Sequence, residues 1–96
     1  MKVKVCNESW GDNFLYIQWP YAYAPRDGEA IEVTDFVSDD DYRKLKGSKA
    51  SEWGYADDAY DNALEAIEDD FTSRVNFSRW TRNRETGQVV LTVVLE

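Results

Sequence analysis

The N-terminal third of the chain alternates polar and apolar residues in a way that predicts β-strands. Residues 2–6 read Lys-Val-Lys-Val-Cys, the period-two pattern of a half-buried strand. Residues 14–19 are rich in aromatic and β-branched side chains, and Pro20 limits their continuation as a central strand. After turn formers at residues 25–28, residues 30–34 resume the alternation. We therefore predict three strands in this part of the chain.

Two helices are predicted in the middle of the chain. Ser38 followed by Asp41 fits a capping box, and Gly47 is a C-terminal stop, so a short helix is expected over residues 39–46. Over residues 56–75 apolar side chains recur at spacings of three and four, which predicts a long amphipathic helix whose apolar stripe packs on the sheet. The stripe comprises Tyr60, Ala63, Leu64, Ile67, Phe71 and Val75.

The C-terminal quarter of the chain returns to strand-like sequence. Residues 77–82 are followed by turn formers at residues 83–87, and residues 88–95 are nearly continuous valine and leucine, as in a central strand buried on both faces. No internal repeat or linker divides the chain. We predict one α+β domain over residues 1–96, in which the long acidic helix and the short helix pack on one face of a single, antiparallel-rich β-sheet of about four to five strands.

The charge of the chain narrows the classes of partner. Nineteen acidic and eleven basic residues give a formal net charge of -8. Phosphate contacts need Lys and Arg, so this charge opposes direct binding to nucleic acid and favours a cationic protein. It also disfavours anionic membrane surfaces, and the longest apolar run is far shorter than the roughly 18 residues of a membrane-spanning helix.

The N-terminal residues lack the apolar run of a signal peptide, and a single cysteine excludes an intramolecular disulfide. We therefore expect a cytoplasmic protein, located in the host cell cytoplasm if it is phage-encoded.

The residue types that carry most enzymatic chemistry are missing. There is no histidine, which removes the usual general base and the commonest metal ligand. The five glycines are scattered singly at turns, so no phosphate-binding loop is formed. Two short aspartate runs, residues 39–41 and 57–58, lack the spacing of a calcium-binding loop. We expect a non-enzymatic protein with no cofactor and no metal site.

The strongest functional signal is an acidic segment, because every charged residue between positions 52 and 70 is Asp or Glu. On the predicted long helix, several of these residues stand four apart, and like-charge pairs at that spacing destabilise a helix. Ordinary solvated faces mix the two signs of charge, so the segregation indicates a binding surface; a merely solvated helix face is the alternative. We predict that the partner-binding carboxylates are Asp57, Asp58, Asp61, Glu65, Glu68 and Asp69.

A second acidic group precedes the first helix. Asp39, Asp40 and Asp41 would extend the same surface if the two acidic segments share one side of the fold. Carboxylates would then be distributed over a distance comparable to several phosphates of duplex DNA. This arrangement is the physical basis of nucleic-acid mimicry.

Aromatic residues accompany the acidic ones. Trp53 and Tyr55 lie inside the acidic segment, and Trp and Tyr are enriched at interface hot spots, so we predict both as apolar anchors for a partner. The alternative is that the tryptophans belong to the core. Tyr21 and Tyr23, next to Pro20 in a predicted loop, are the aromatic residues that we expect to be exposed.

The segment Glu52-Trp53-Gly54-Tyr55-Ala56-Asp57-Asp58-Ala59-Tyr60-Asp61 and the helix predicted after it give the chain a resemblance in kind to the small acidic anti-CRISPR and anti-restriction proteins. The resemblance implies a phage-encoded inhibitor that mimics nucleic acid and blocks the DNA- or RNA-binding surface of a host defence nuclease complex. Two alternatives stay open. One is an immunity protein that neutralises a basic nuclease toxin. The other is a phage structural or assembly protein, whose apolar last strand would offer an edge for β-augmentation.

Overall fold

The protein is built on a four-stranded β-sheet with two short α-helices packed on one face, in a computed structural model that describes residues 1–70 and 74–96. The α+β class is therefore confirmed. The regular elements are β1 (Lys2–Asn7), β2 (Phe14–Gln18), α1 (Asp39–Lys46), α2 (Ala63–Glu68), β3 (Val75–Arg82) and β4 (Val89–Leu95). Single turns of 3₁₀ helix lie at Glu8–Trp10, Val33–Asp35 and Ala50–Trp53.

The sheet is mixed rather than antiparallel-rich, with the strand order β2-β1-β4-β3. The two outer pairs are antiparallel, but the central pair β1–β4 is parallel and places Val3 opposite Leu91 and Val5 opposite Val93. A parallel pair needs a long crossover connection, here the chain that leads from the first strand to the last, and no local sequence signal announces it. β4 is central, as its apolar sequence predicts, so it cannot offer the free edge that an assembly role was expected to use.

The hydrophobic core lies between the helices and one face of the sheet. β1 and β4 each turn alternate apolar side chains towards it, and Leu45 of α1 and Leu64 of α2 cover them. Trp10, Trp19 and Trp53 are also buried there. Burial of each large apolar side chain contributes about 1.5–3 kcal/mol, so this layer supplies the main stabilisation.

The predicted third strand, residues 30–34, is wrong. Only Ala30 makes a β-bridge, to Arg74, and the chain then turns into the 3₁₀ turn Val33–Asp35. The alternation that predicted a strand reflects real burial, because Ile31 and Val33 both point into the core. A segment can satisfy this pattern without a strand partner on either side.

The long helix predicted over residues 56–75 is not found. Residues 56–62 form turns, the helix α2 spans only Ala63–Glu68, and Val75 belongs to β3. Phe71 of the predicted stripe lies outside the described residues. Asp57 and Asp61 lie before this shorter helix. They are therefore not aligned one helical turn apart, and the repulsion expected between like charges at that spacing does not arise.

The short helix and the C-terminal hairpin match their predictions closely. α1 spans Asp39–Lys46, and the Ser38 side chain caps it by accepting a 3.2 Å hydrogen bond from the backbone N–H of Asp41. β3 and β4 flank a turn at residues 83–88, where the prediction had placed one at 83–87. Local capping and turn chemistry were sufficient for these elements.

Candidate acidic interaction surface

The helix α2 displays its carboxylates because its other side is apolar. Asn62 begins the helix, since its side chain accepts a 2.9 Å hydrogen bond from the backbone N–H of Glu65. The buried residues of α2 are Ala63, Leu64, Ala66 and Ile67. The remaining positions, Glu65 and Glu68, are exposed. This part of the predicted stripe is confirmed, and it directs the two glutamates to solvent.

The turns before α2 carry three more exposed carboxylates, on Asp57, Asp58 and Asp61. Asp57 accepts a 2.8 Å hydrogen bond from the backbone N–H of Ser51. Hydrogen bonds from Ser51 hold the pKa of Asp57 below its ordinary value, so this carboxylate stays ionised in mildly acidic solution. The same bond fixes the acidic turn to the 3₁₀ turn Ala50–Trp53.

Two tyrosines hold the end of the acidic segment in place. The Tyr60 hydroxyl donates a 2.9 Å hydrogen bond to Asp69, and this bond raises the pKa of Tyr60 above its ordinary value. The Tyr55 hydroxyl accepts a 3.0 Å hydrogen bond from Trp10 Nε1 and donates one of 3.1 Å to Asp70. Burial is the main cause that raises the pKa of Tyr55 to about 12. Both phenols therefore remain protonated donors at neutral pH.

The prediction that Trp53 is an exposed anchor is wrong. Trp53 is only 5% exposed, and its ring packs edge-on against Trp10 with the centroids 5.4 Å apart. The reason is that the backbone of Gly54 lies against Ser9, so the 3₁₀ turn Ala50–Trp53 packs on the turn Glu8–Trp10 and the two indoles meet. Tyr55 is half-buried against the core and its hydroxyl is already engaged, so it offers a partner little more than a ring edge.

The acidic residues at the start of α1 have a different electrostatic setting. Asp39 and Asp40 are exposed and Asp41 is half-buried, in the first turn, where carboxylates complement the helix dipole. Asp40 forms an ion pair with Arg43, the one ion pair found within residues 1–70 and 74–96. The last turn of α1 is basic. This helix therefore balances its own charge, whereas α2 and its preceding turns do not.

The helices α1 and α2 lie on the same side of the sheet. α1 and α2 pack against each other, and both contribute to the core that covers one sheet face. The start of α1, however, reaches the edge of the open sheet face, because Ser38 and Asp41 line a pocket with Lys2, Tyr16 and Gln18. A single surface that contains both acidic groups stays a hypothesis.

The opposite sheet face has the reverse charge, which sequence reasoning missed. The strand registers place Lys2, Lys4 and Arg79 on this open face, together with Phe14 and Tyr16. The lysine ammonium groups lie over these rings, 4.4 Å from the Tyr16 centroid and 4.2 Å from that of Phe14. No carboxylate belongs to this face in the described strands. The open face of the strands is thus basic, and the period-two register is the signal that could have revealed it.

Tyr21 and Tyr23 are exposed, as predicted from their place beside Pro20, with 49% and 43% of their surfaces accessible. They border a cavity that no sequence motif indicates. Within the described residues, no group of three or more acidic or cysteine side chains could hold a metal ion, and no helix is long and apolar enough to cross a membrane. Comparison of the chain with protein-family models, with curated proteins and with solved structures finds no match.

Proposed function

We propose that the protein is a non-enzymatic inhibitor that binds the nucleic-acid-binding surface of a basic host protein, such as a defence nuclease complex, through the carboxylates of its helical side. The observation that carries the proposal is the exposure of six carboxylates in a segment, residues 52–70, that contains no Lys or Arg. They belong to Asp57, Asp58, Asp61, Glu65, Glu68 and Asp69.

A surface of this kind favours a polycationic partner for a simple electrostatic reason. Carboxylates of one sign attract a basic groove at long range and can raise association rates by about 10–10³-fold. Exposed charges are screened beyond about 8 Å at 0.15 M ionic strength, so the complex should weaken as salt rises. Direct binding to nucleic acid is opposed on this side by the same charge.

The acidic surface is also preorganised. The Asn62 cap fixes the start of α2, the bond between Asp57 and Ser51 fixes the preceding turn, and Tyr60 holds Asp69. Groups that are ordered before binding lose less conformational entropy when the complex forms. This supports a binding role over a merely solvated face, which needs no fixed carboxylates.

The test is capture of partners from a host lysate by three tagged proteins. These are the wild type, the variant with Asp58, Asp61 and Glu65 changed to Lys, and a control with Glu8, Asp12 and Glu85 changed to Lys. All six positions are exposed, and the two variants change the net charge equally, so only the place of the charge differs.

We expect the wild type and the control to capture the same nucleic-acid-binding protein and the acidic-surface variant to lose it. Mass spectrometry identifies the protein and so separates a defence complex from a toxin nuclease. Retention by the acidic-surface variant, or equal loss in both variants, would refute the proposal.

A further inference from the structure

A cavity of about 320 Å³ opens between the segment that follows β2 and the segment around the 3₁₀ turn Val33–Asp35. Its lining includes Trp19, Tyr21, Tyr23 and Phe36. Trp19 is only 4% exposed and so belongs to the floor, whereas the two tyrosines are about half exposed. The cavity is therefore open to solvent and aromatic on one side.

The aromatic rings form an ordered array. Tyr21 and Tyr23 are stacked, with their centroids 5.4 Å apart and their planes at 16°. Trp19 meets Tyr21 edge-on at 5.2 Å and donates a 2.8 Å hydrogen bond from Nε1 to the Tyr23 carbonyl. These contacts fix the tyrosines in place although both remain accessible.

The other side of the cavity is acidic. Its lining includes Glu29, Glu32 and Asp35, and none of the three takes part in an ion pair within the described part of the chain. Aromatic ring faces attract cations, and carboxylates attract them more strongly. The lining thus combines two groups that favour the same kind of ligand.

The protein already shows which cation fits such a ring. The guanidinium carbon of Arg26 lies 5.2 Å from the centroid of Tyr23. Arginine is better suited than lysine to this combination, because its planar group stacks on rings and can bind a carboxylate through two N–H groups.

We propose that this cavity binds an arginine side chain of the partner, with the guanidinium against Tyr21 and its N–H groups directed to the carboxylates of Glu32 and Asp35. Tyr23 is left out as the contact, because Arg26 and Tyr21 already lie against its ring. The inference extends the proposed function, because the 3₁₀ turn that carries Asp35 packs against α2, the helix that carries Glu65 and Glu68. The acidic surface would attract the partner, and the cavity would anchor it.

The test uses two short peptides, acetyl-Gly-Arg-Gly-amide and acetyl-Gly-Lys-Gly-amide, titrated into the ¹⁵N-labelled protein. We expect the arginine peptide to shift the Trp19 indole N–H signal and the backbone signals of Tyr21 and Tyr23 in a saturable way, with a dissociation constant on the order of 1 mM. The lysine peptide should bind more weakly by at least about threefold.

Two sets of variants separate binding from folding. Tyr21→Ala with Tyr23→Ala, and Glu32→Gln with Asp35→Asn, should each weaken the arginine peptide by at least about threefold. Tyr21→Phe with Tyr23→Phe should bind as the wild type does, because the rings remain. The second pair leaves the aromatic array intact, so its loss of binding would not reflect misfolding.

The result of the peptide titration does not depend on whether the acidic surface binds a nucleic-acid-binding protein. The variant with lysines at positions 58, 61 and 65 should still bind the arginine peptide, even if it captures no partner. Absence of saturable shifts, equal affinity for the two peptides, or undiminished binding by the Ala and Gln/Asn variants would each overturn the cavity assignment and leave the acidic surface to be judged by the capture experiment.

Discussion

At the scale of single residues, the hydroxyl of Tyr55 joins the core to the acidic segment, since it links Trp10 to Asp70. Tyr55→Phe removes the acceptor of the indole N–H of the buried Trp10, and we expect it to lower the free energy of unfolding by about 1–3 kcal/mol at pH 7. Urea denaturation measures this difference. Tyr42→Phe, at an exposed tyrosine, is the control and should change the free energy of unfolding little.

The same residue predicts a dependence on alkaline pH. Because burial raises the pKa of Tyr55 to about 12 from an ordinary value of 10.0, its contribution to stability is complete below pH 10. As the pH rises from 10 towards 12, the unfolded chain loses the proton first, so stability is lost. The free energy of unfolding should fall more steeply for the wild type than for Tyr55→Phe over this range. Parallel curves would contradict the assignment.

Gly54 shows how close packing fixes a single position. Its φ is 84°, and a methyl group there would lie 1.7 Å from the backbone oxygen of Ser9. Gly28 has the same φ of 84°, but a methyl group at that position would meet no described atom within 4 Å. We expect Gly54→Ala to lower the melting temperature much more than Gly28→Ala, which adds only backbone strain of about 1 kcal/mol. Equal effects in calorimetry would refute the close approach.

At the scale of elements, the features that depend on neighbouring residues could be predicted from the sequence, and those that depend on distant residues could not. Ser38 begins α1 and Gly47 ends it, and both capping residues can be recognised in the sequence. The start of α2 was missed because Asn62 fell inside a run of apolar spacings that continued from Tyr60, and periodicity alone does not distinguish a cap from a helix interior. The parallel β1–β4 pair depends on residues about 90 apart, which no window of sequence compares.

The Asn62 cap yields a prediction for α2. With only six residues, this helix depends on its cap and its packing, so Asn62→Ala should lower the free energy of unfolding by about 0.5–2 kcal/mol. Asn62→Asp keeps a side-chain acceptor and should retain most of the stability. Chemical denaturation of the wild type, Asn62→Ala and Asn62→Asp measures these free energies of unfolding. If Asn62→Ala is as stable as the wild type, the cap is dispensable.

At the scale of the whole molecule, the net charge of -8 conceals a basic group of side chains on the open face of the sheet. The acidity of the site was predictable from composition along the chain, and six of the predicted carboxylates are indeed exposed around α2. The basic open face of the sheet and the cavity lined by Tyr21 and Tyr23 could not be predicted, because they depend on strand register and on two loops that meet in space. Trp53 was misassigned since sequence does not reveal which indoles are buried.

The most direct test of nucleic-acid mimicry is displacement of the protein from its captured partner by nucleic acid at constant ionic strength. If the acidic surface occupies the partner's nucleic-acid-binding groove, DNA or RNA should release the complex at concentrations where an equal charge of polyglutamate releases much less. A complex that survives saturating nucleic acid, or that polyglutamate releases equally well, would contradict the account.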